Sequence, residues 1–132
     1  YKGKRILLAE DNEINREIAG TLIREMGIMV EEAMDGSEAV EMVRQSEEGY
    51  YDLIFMDIQM PVMDGYQAAK VIRGLERGDA CHMPIIAMTA NAFEEDVREA
   101  MRAGMNAHFS KPIDLDALEA LLSKYLSGES GK

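Results

Sequence analysis

The chain has a single cysteine, Cys81, so no disulfide can close within it. A reactive thiol needs an electropositive setting, and acidic Asp79 nearby argues instead for an inert residue in a loop or at a strand edge. No apolar run approaches the ~20 residues of a membrane span, and no segment resembles a secretory signal. The expected compartment is the cytosol, with no membrane contact by this domain. Basic residues are scarce: 14 Lys and Arg against 25 Asp and Glu leave a net charge of −11. That balance opposes direct contact with nucleic acid or anionic lipid and favours cations and basic partner surfaces. Histidine is nearly missing, and His82, with no second histidine near it in sequence, reads as a loop residue rather than a metal ligand. Repeats and low-complexity stretches are absent as well.

The 132 residues, 47% of them hydrophobic and 30% charged, suit one domain with one core. A chain near this length buries roughly two thirds of its unfolded surface. Residues 1–126 are expected to form the domain, and 127–132 a flexible polar tail. Beginning at Tyr1 and ending in that tail, the sequence reads as cut from a longer protein. The eleven methionines are unusual. Met26, Met29, Met42, Met88 and Met101 are expected as core filler, and Met60 and Met63 as partly exposed loop residues.

Five short apolar runs, over 4–9, 28–33, 52–57, 84–88 and 106–109, alternate with helical patterns. Their continuous apolar character predicts parallel strands covered on both faces, hence an α/β layer fold. The helices have readable starts. Asn12 precedes a stripe of Ile14, Ile18, Leu22 and Met26, whose spacing predicts a sheet-facing side. Asp35 to Glu38 and Asn91 to Glu94 have capping-box spacing. Asp64 precedes Ala68, Ala69, Val71, Ile72 and Leu75, and Asp114 precedes Leu115, Leu118, Leu122 and Tyr125. Gly27, Gly74 and Gly104 fall where helices should stop.

In open parallel sheets, ligands bind outside the carboxyl ends of the strands. Here those ends carry Glu10 and Asp11, then Asp57, then Thr89, then Lys111. The topology gathers onto one edge residues spread over about a hundred positions. Carboxylates drawn together raise one another's pKa or recruit a cation. A hard divalent ion such as Mg2+, which keeps open positions for phosphoryl oxygens, is the natural solution. Thr89 offers a hydroxyl donor and Lys111 a mobile ammonium. A carboxylate can act as nucleophile and form an acyl phosphate, and Asp57, which ends an apolar strand and whose otherwise apolar flanking loop would leave one face of it open, is the candidate.

Four segments carry a resemblance to a known family: Leu8 to Asn12, Phe55 to Gly65, Met88 to Asn91 and Ser110 to Pro112. In this order and spacing they resemble the receiver domain of two-component phosphorelay signalling, most closely the receiver of a hybrid histidine kinase. The resemblance covers the chain to about Leu126. It implies a flavodoxin-like, doubly wound five-stranded parallel sheet of order 2-1-3-4-5 with five helices. It implies Asp57 as phosphoacceptor, with Mg2+ held by Glu10 and Asp11, the direct ligands being Asp11, Asp57 and the backbone carbonyl of Gln59. Thr89 and Lys111 would bind the phosphoryl group. Gln59 and Asn91 would tune its hydrolysis, and the Lys111–Pro112 bond would be cis.

The implied partner is a histidine kinase or a histidine phosphotransfer domain, docking near Asn12, Ile14 and Asn15. The last two helices and the fifth strand would form the output or dimer face. The domain would catalyse its own phosphorylation and slow dephosphorylation. His108 stands where the family usually has a switch aromatic, and neighbouring Phe109 is expected in the core. A phosphorylation-independent module is an alternative. A phosphatase of the haloacid-dehalogenase kind is another, but it needs an acid where this chain has Gln59.

Overall fold

The computed structural model describes residues 3–75, 78, 83–89, 94–110 and 114–126. Strands β1 (Arg5–Ala9), β2 (Met29–Ala33), β3 (Leu53–Asp57), β4 (Ile85–Thr89) and β5 (Ala107–Ser110) alternate with helices α1 (Glu13–Arg24), α2 (Gly36–Gln45), α3 (Gly65–Arg73), α4 (Glu94–Arg102) and α5 (Leu115–Leu126). The strands form one parallel sheet of order β2-β1-β3-β4-β5, as the resemblance implies. β3 and β4 are buried along their whole length, as expected of strands covered on both faces. Successive side chains point to opposite faces, which divides the core in two. Leu7, Ile54 and Met56 pack with α2, α3 and α4, whereas Ile6, Leu8 and Phe55 pack with α1 and α5.

Each strand starts one residue later than expected, and β4 and β5 also end one residue later, at Thr89 and Ser110. The helix starts agree more closely. Asn12, Asp35 and Asp64 each accept a hydrogen bond from the backbone N–H three residues on. Gln67 closes a reciprocal box on Asp64, while the Glu38 carboxylate reaches past Asp35 to the Met34 N–H. Asp114 accepts from the Asp116 N–H at 3.2 Å. The box expected from Asn91 to Glu94 begins outside the described residues.

Helix α1 corrects one expectation. Ile14 is 70% exposed and Ile18 50%, while Ala19, Gly20 and Ile23 are buried, with Leu22 and Met26 half-buried beside them. The sheet-facing stripe is thus rotated from the predicted one. The reason is the small pair Ala19 and Gly20: an added Cβ at Gly20 would lie 3.0 Å from the Arg24 guanidinium and 3.4 Å from the Glu32 carboxylate. Small residues let the helix lie close to β2, whereas a stripe read from large apolar residues overlooks them.

The methionines also need correction. Of the five expected in the core, Met88 is buried and Met26 and Met42 are half-buried, but Met29 and Met101 are exposed. Met29 begins an edge strand, which has a covering neighbour on one side only. Met60, expected to be partly exposed, is buried.

On that edge Glu31 accepts from the Tyr50 hydroxyl at 2.5 Å and the Tyr51 hydroxyl at 2.7 Å. The Arg5 guanidinium lies 4.0 Å over the Tyr50 ring. The hydrogen bond to Glu31 raises the Tyr50 pKa above its usual value, and burial, then the same carboxylate, raises that of Tyr51.

Two predictions follow from these placements. Ile23→Ala should lower stability by about 2–4 kcal/mol, and Ile14→Ala by less than about 0.5, read from urea midpoints. Because the folded protein prefers both tyrosines protonated, their contribution is whole below the ordinary tyrosine pKa of about 10 and fades as pH rises through the raised folded values. The thermal midpoint should therefore fall from about pH 10 upward, and fall less steeply in Tyr51→Phe.

Candidate functional site

The acids are positioned by the ends of β1 and β3. The Glu10 N–H continues the β1 ladder by donating to the Ala33 carbonyl at 3.0 Å. Its carboxylate accepts from the Asn12 N–H at 3.1 Å, and its own carbonyl accepts from Arg16 Nη1 at 2.8 Å. Arg16 in turn pairs with Glu32 at 3.3 Å. Asp57, the last residue of β3, is buried, and its Oδ1 accepts from the Gln59 N–H at 3.3 Å. Carboxylate oxygens of Glu10, Asp11 and Asp57 all lie within 4.8 Å of one another, with Glu10 and Asp57 buried and Asp11 exposed.

Thr89 ends the next strand and is buried. The ladder pairs Asp57 with Met88, so Thr89 follows immediately along the same edge. Gln59 is exposed above Asp57. His108 is exposed on β5, while Phe109 is buried with its ring 6.2 Å from that of Phe55, as expected. Lys111, Pro112 and Asn91 lie outside the described residues.

Buried charges are costly unless paired or bound to a metal. The donor set here is entirely carboxylate oxygen, with two of three groups withdrawn from water, and this fits a hard cation. Beside the acids an open groove of about 520 Å³ runs past Asp11, Gln59, Pro61, Asp64, Tyr66 and Asp96. The Tyr66 hydroxyl donates to the Asp96 carbonyl at 3.3 Å. Burial, and secondarily the Asp96 charge, raise its pKa, so it remains a donor.

The loop that follows Asp57 is held by backbone contacts the sequence did not announce. The Gly65 N–H donates to the Ile58 carbonyl at 2.9 Å, closing the loop, and the Gly36 N–H at the start of α2 donates to the Met63 carbonyl at 3.0 Å. A Cβ at Gly65 would overlap the Asp57 carbonyl oxygen, and one at Gly36 the Met63 carbonyl oxygen. At the tip, the Met63 N–H donates to the Pro61 carbonyl at 2.7 Å, a three-residue turn centred on Val62 with φ +68°. A β-branched residue in that region costs about 1–3 kcal/mol.

Arg16 likewise carries no mark of its role in the local sequence, because that role depends on Glu32, sixteen residues away on β2. Gly36 and Gly65 could have been suspected from their places beside the caps Asp35 and Asp64. Gly65→Ala should cost about 3 kcal/mol, since the clash is with backbone and not with a side chain that can swing away. Urea midpoints against wild type measure this.

Fold and acids together define an α/β domain with a carboxylate cluster, suited to a hard cation, at the ends of its central strands. The family model described as the response regulator receiver domain matches residues 6–123. The chain belongs to that family, the receivers of two-component phosphorelay signalling. It is similar to the peroxide stress-activated histidine kinase of Schizosaccharomyces pombe, with 39% identity over 126 residues. That match covers 95% of this chain but 8% of the kinase, and other curated histidine kinases it matches are also far longer.

Among solved structures, the receiver domain of a sensor histidine kinase from Pseudomonas aeruginosa has a TM-score of 0.84 at 37% identity, covering 93% of this chain and 97% of that one. That receiver holds a magnesium ion in its active-site cleft. A Saccharomyces cerevisiae response regulator's receiver, solved with its histidine phosphotransfer protein, has a TM-score of 0.83 at 34% identity, covering 100% and 99%. Among the described residues no helix is long and apolar enough to cross a membrane.

Proposed function

We propose that this domain is a Mg2+-dependent switch that takes a phosphoryl group from a phosphohistidine onto Asp57. The observation that carries the reading is the meeting of Glu10, Asp11 and Asp57 at the strand ends of a receiver fold. A carboxylate oxygen of Asp57 attacks the phosphorus in line. The phosphorus–nitrogen bond breaks, and its electron pair leaves with the imidazole of the donor. Phosphoryl transfer asks chiefly for positioning and charge neutralisation. Bound Mg2+ supplies the neutralising charge that three carboxylates and a phosphoryl group otherwise lack.

Asp11, Asp57 and the Gln59 carbonyl would hold the ion directly, with Glu10 supporting it. The Thr89 hydroxyl and the Lys111 ammonium donate to phosphoryl oxygens. Gln59 and Asn91 flank the group and set its hydrolysis, and His108 takes the switch position. The partner is a histidine kinase or a histidine phosphotransfer domain, and the domain works in the cytosol, serving as the receiver of a hybrid kinase. Ile14, exposed rather than in the core, supports docking on the start of α1 beside Asn12 and Asn15, and Ile18 extends that apolar stripe.

Intact mass after incubation with acetyl phosphate tests the reading. Wild type should gain one phosphoryl group only with Mg2+ present, and Asp57→Asn should gain none. Full labelling of that variant would assign the acceptor to another residue.

A further inference from the structure

The acid cluster depends on a peptide plane as well as on its carboxylates. Glu10 and Asp11 are neighbours, so the Glu10 carbonyl and the Asp11 N–H lie in one rigid unit. The tilt of that unit sets where the Asp11 Cα stands and how far its carboxylate reaches. The groups on either side are fixed by the fold. The Glu10 N–H is held by the Ala33 carbonyl on β2, and the Asn12 N–H by the Glu10 carboxylate. Asp11 is the exposed member of the three, so packing does little to orient it.

Arg16 holds the plane between. Its Nη1 donates to the Glu10 carbonyl at 2.8 Å and its Nε to the Glu32 carboxylate at 3.3 Å. The side chain is only 13% exposed, and Glu32 is tied a second time by Arg24 at 3.0 Å. The Arg16 N–H donates to the Asn12 carbonyl at 2.9 Å, so its own backbone is fixed to the same turn. A planar guanidinium makes two such bonds at once in a set geometry, and a lysine ammonium has no such fork. The guanidinium thus bridges β2, α1 and the turn that carries Asp11.

Charge alone does not explain this placement. A guanidinium bonded to the Glu10 main chain is a positive charge beside the cluster, and by Coulomb's law it opposes a second cation there. Its removal would then tighten Mg2+ binding. Geometry predicts the opposite: without the bridge the Glu10–Asp11 peptide is free to tilt, and binding weakens. The two roles are separated by the sign of one measurement.

We infer that Arg16 is a positioning residue for the Mg2+ site, locking the Glu10–Asp11 peptide so that the Asp11 carboxylate meets those of Glu10 and Asp57. It acts through the backbone and is not itself a ligand. Groups that orient metal ligands from behind are commonly worth about ten- to a hundredfold in affinity. The inference rests on the reading of the three acids as a Mg2+ site.

The experiment titrates wild type, Arg16→Met and Arg16→Lys with MgCl2 and reads the dissociation constant from amide NMR shifts, which also report folding. Arg16→Met keeps the apolar stem and removes charge and fork. Its dissociation constant should rise at least about tenfold over wild type. Labelling by acetyl phosphate at saturating Mg2+ should keep its wild-type rate, because the fault lies in holding the ion. An unaltered or tighter constant overturns the inference, the tighter one making Arg16 a charge and not a brace. A saturated rate that falls while the constant stands overturns it too. Should Arg16→Met give the spectrum of an unfolded chain, Arg16→Lys, which keeps the charge and loses the fork, decides by the same criterion. Wild-type shifts that do not respond to Mg2+ overturn the reading of the acids as a Mg2+ site, and the inference with it. A wild type that binds Mg2+ yet takes no label from acetyl phosphate counts against the proposed function alone, and the dissociation constants still decide the role of Arg16.

Discussion

Like charges repel, and this fold draws three carboxylates to within 4.8 Å of one another while withdrawing two of them from water. Such a cluster is expensive in isolation. Much of the surrounding architecture answers that cost. The start of α1 turns the Asn12 N–H toward Glu10, Arg16 reaches back to the Glu10 carbonyl, and the Gln59 N–H faces Asp57. The repulsion among the gathered acids is what a bound cation would relieve.

The second constraint is closeness of backbone. Two glycines, each beside an aspartate that caps a helix, let the loop after Asp57 touch β3 on one side and α2 on the other. The loop thereby inherits the rigidity of the sheet and of a helix. The Asp57 carboxylate, a strained turn and the α2 terminus are joined through two hydrogen bonds and a short run of chain. Rearrangement at Asp57 would bear on all three together.

Much of this was legible in the sequence. The uninterrupted apolar runs before Glu10 and Asp57 declared buried parallel strands, and Asn12, Asp35, Asp64 and Asp114 marked the helix starts. The acid cluster followed from knowing that strand ends converge. What was not legible depended on shape. Ala19 and Gly20 turned α1 away from the stripe of large residues, because closeness of approach counted for more than the size of the apolar group. Met29 met solvent because its strand lies at an edge. Arg16 gained its role from a glutamate on another strand. The positive φ of Val62 left no trace in a sequence whose residue there ordinarily avoids it.

Strand β2 is an outermost strand of the sheet, and an open edge is a template on which another chain can add a strand. Here two adjacent glutamates stand on it. Glu31 is engaged by two tyrosine hydroxyls, and Glu32 by the guanidinium groups of Arg16 and Arg24. Side chains fixed in this way cannot readily swing aside for an incoming strand, and burying them would forfeit both networks. The same ties that join the edge to its own fold thus hold two charged residues on it, a feature that opposes the pairing of another chain along that strand.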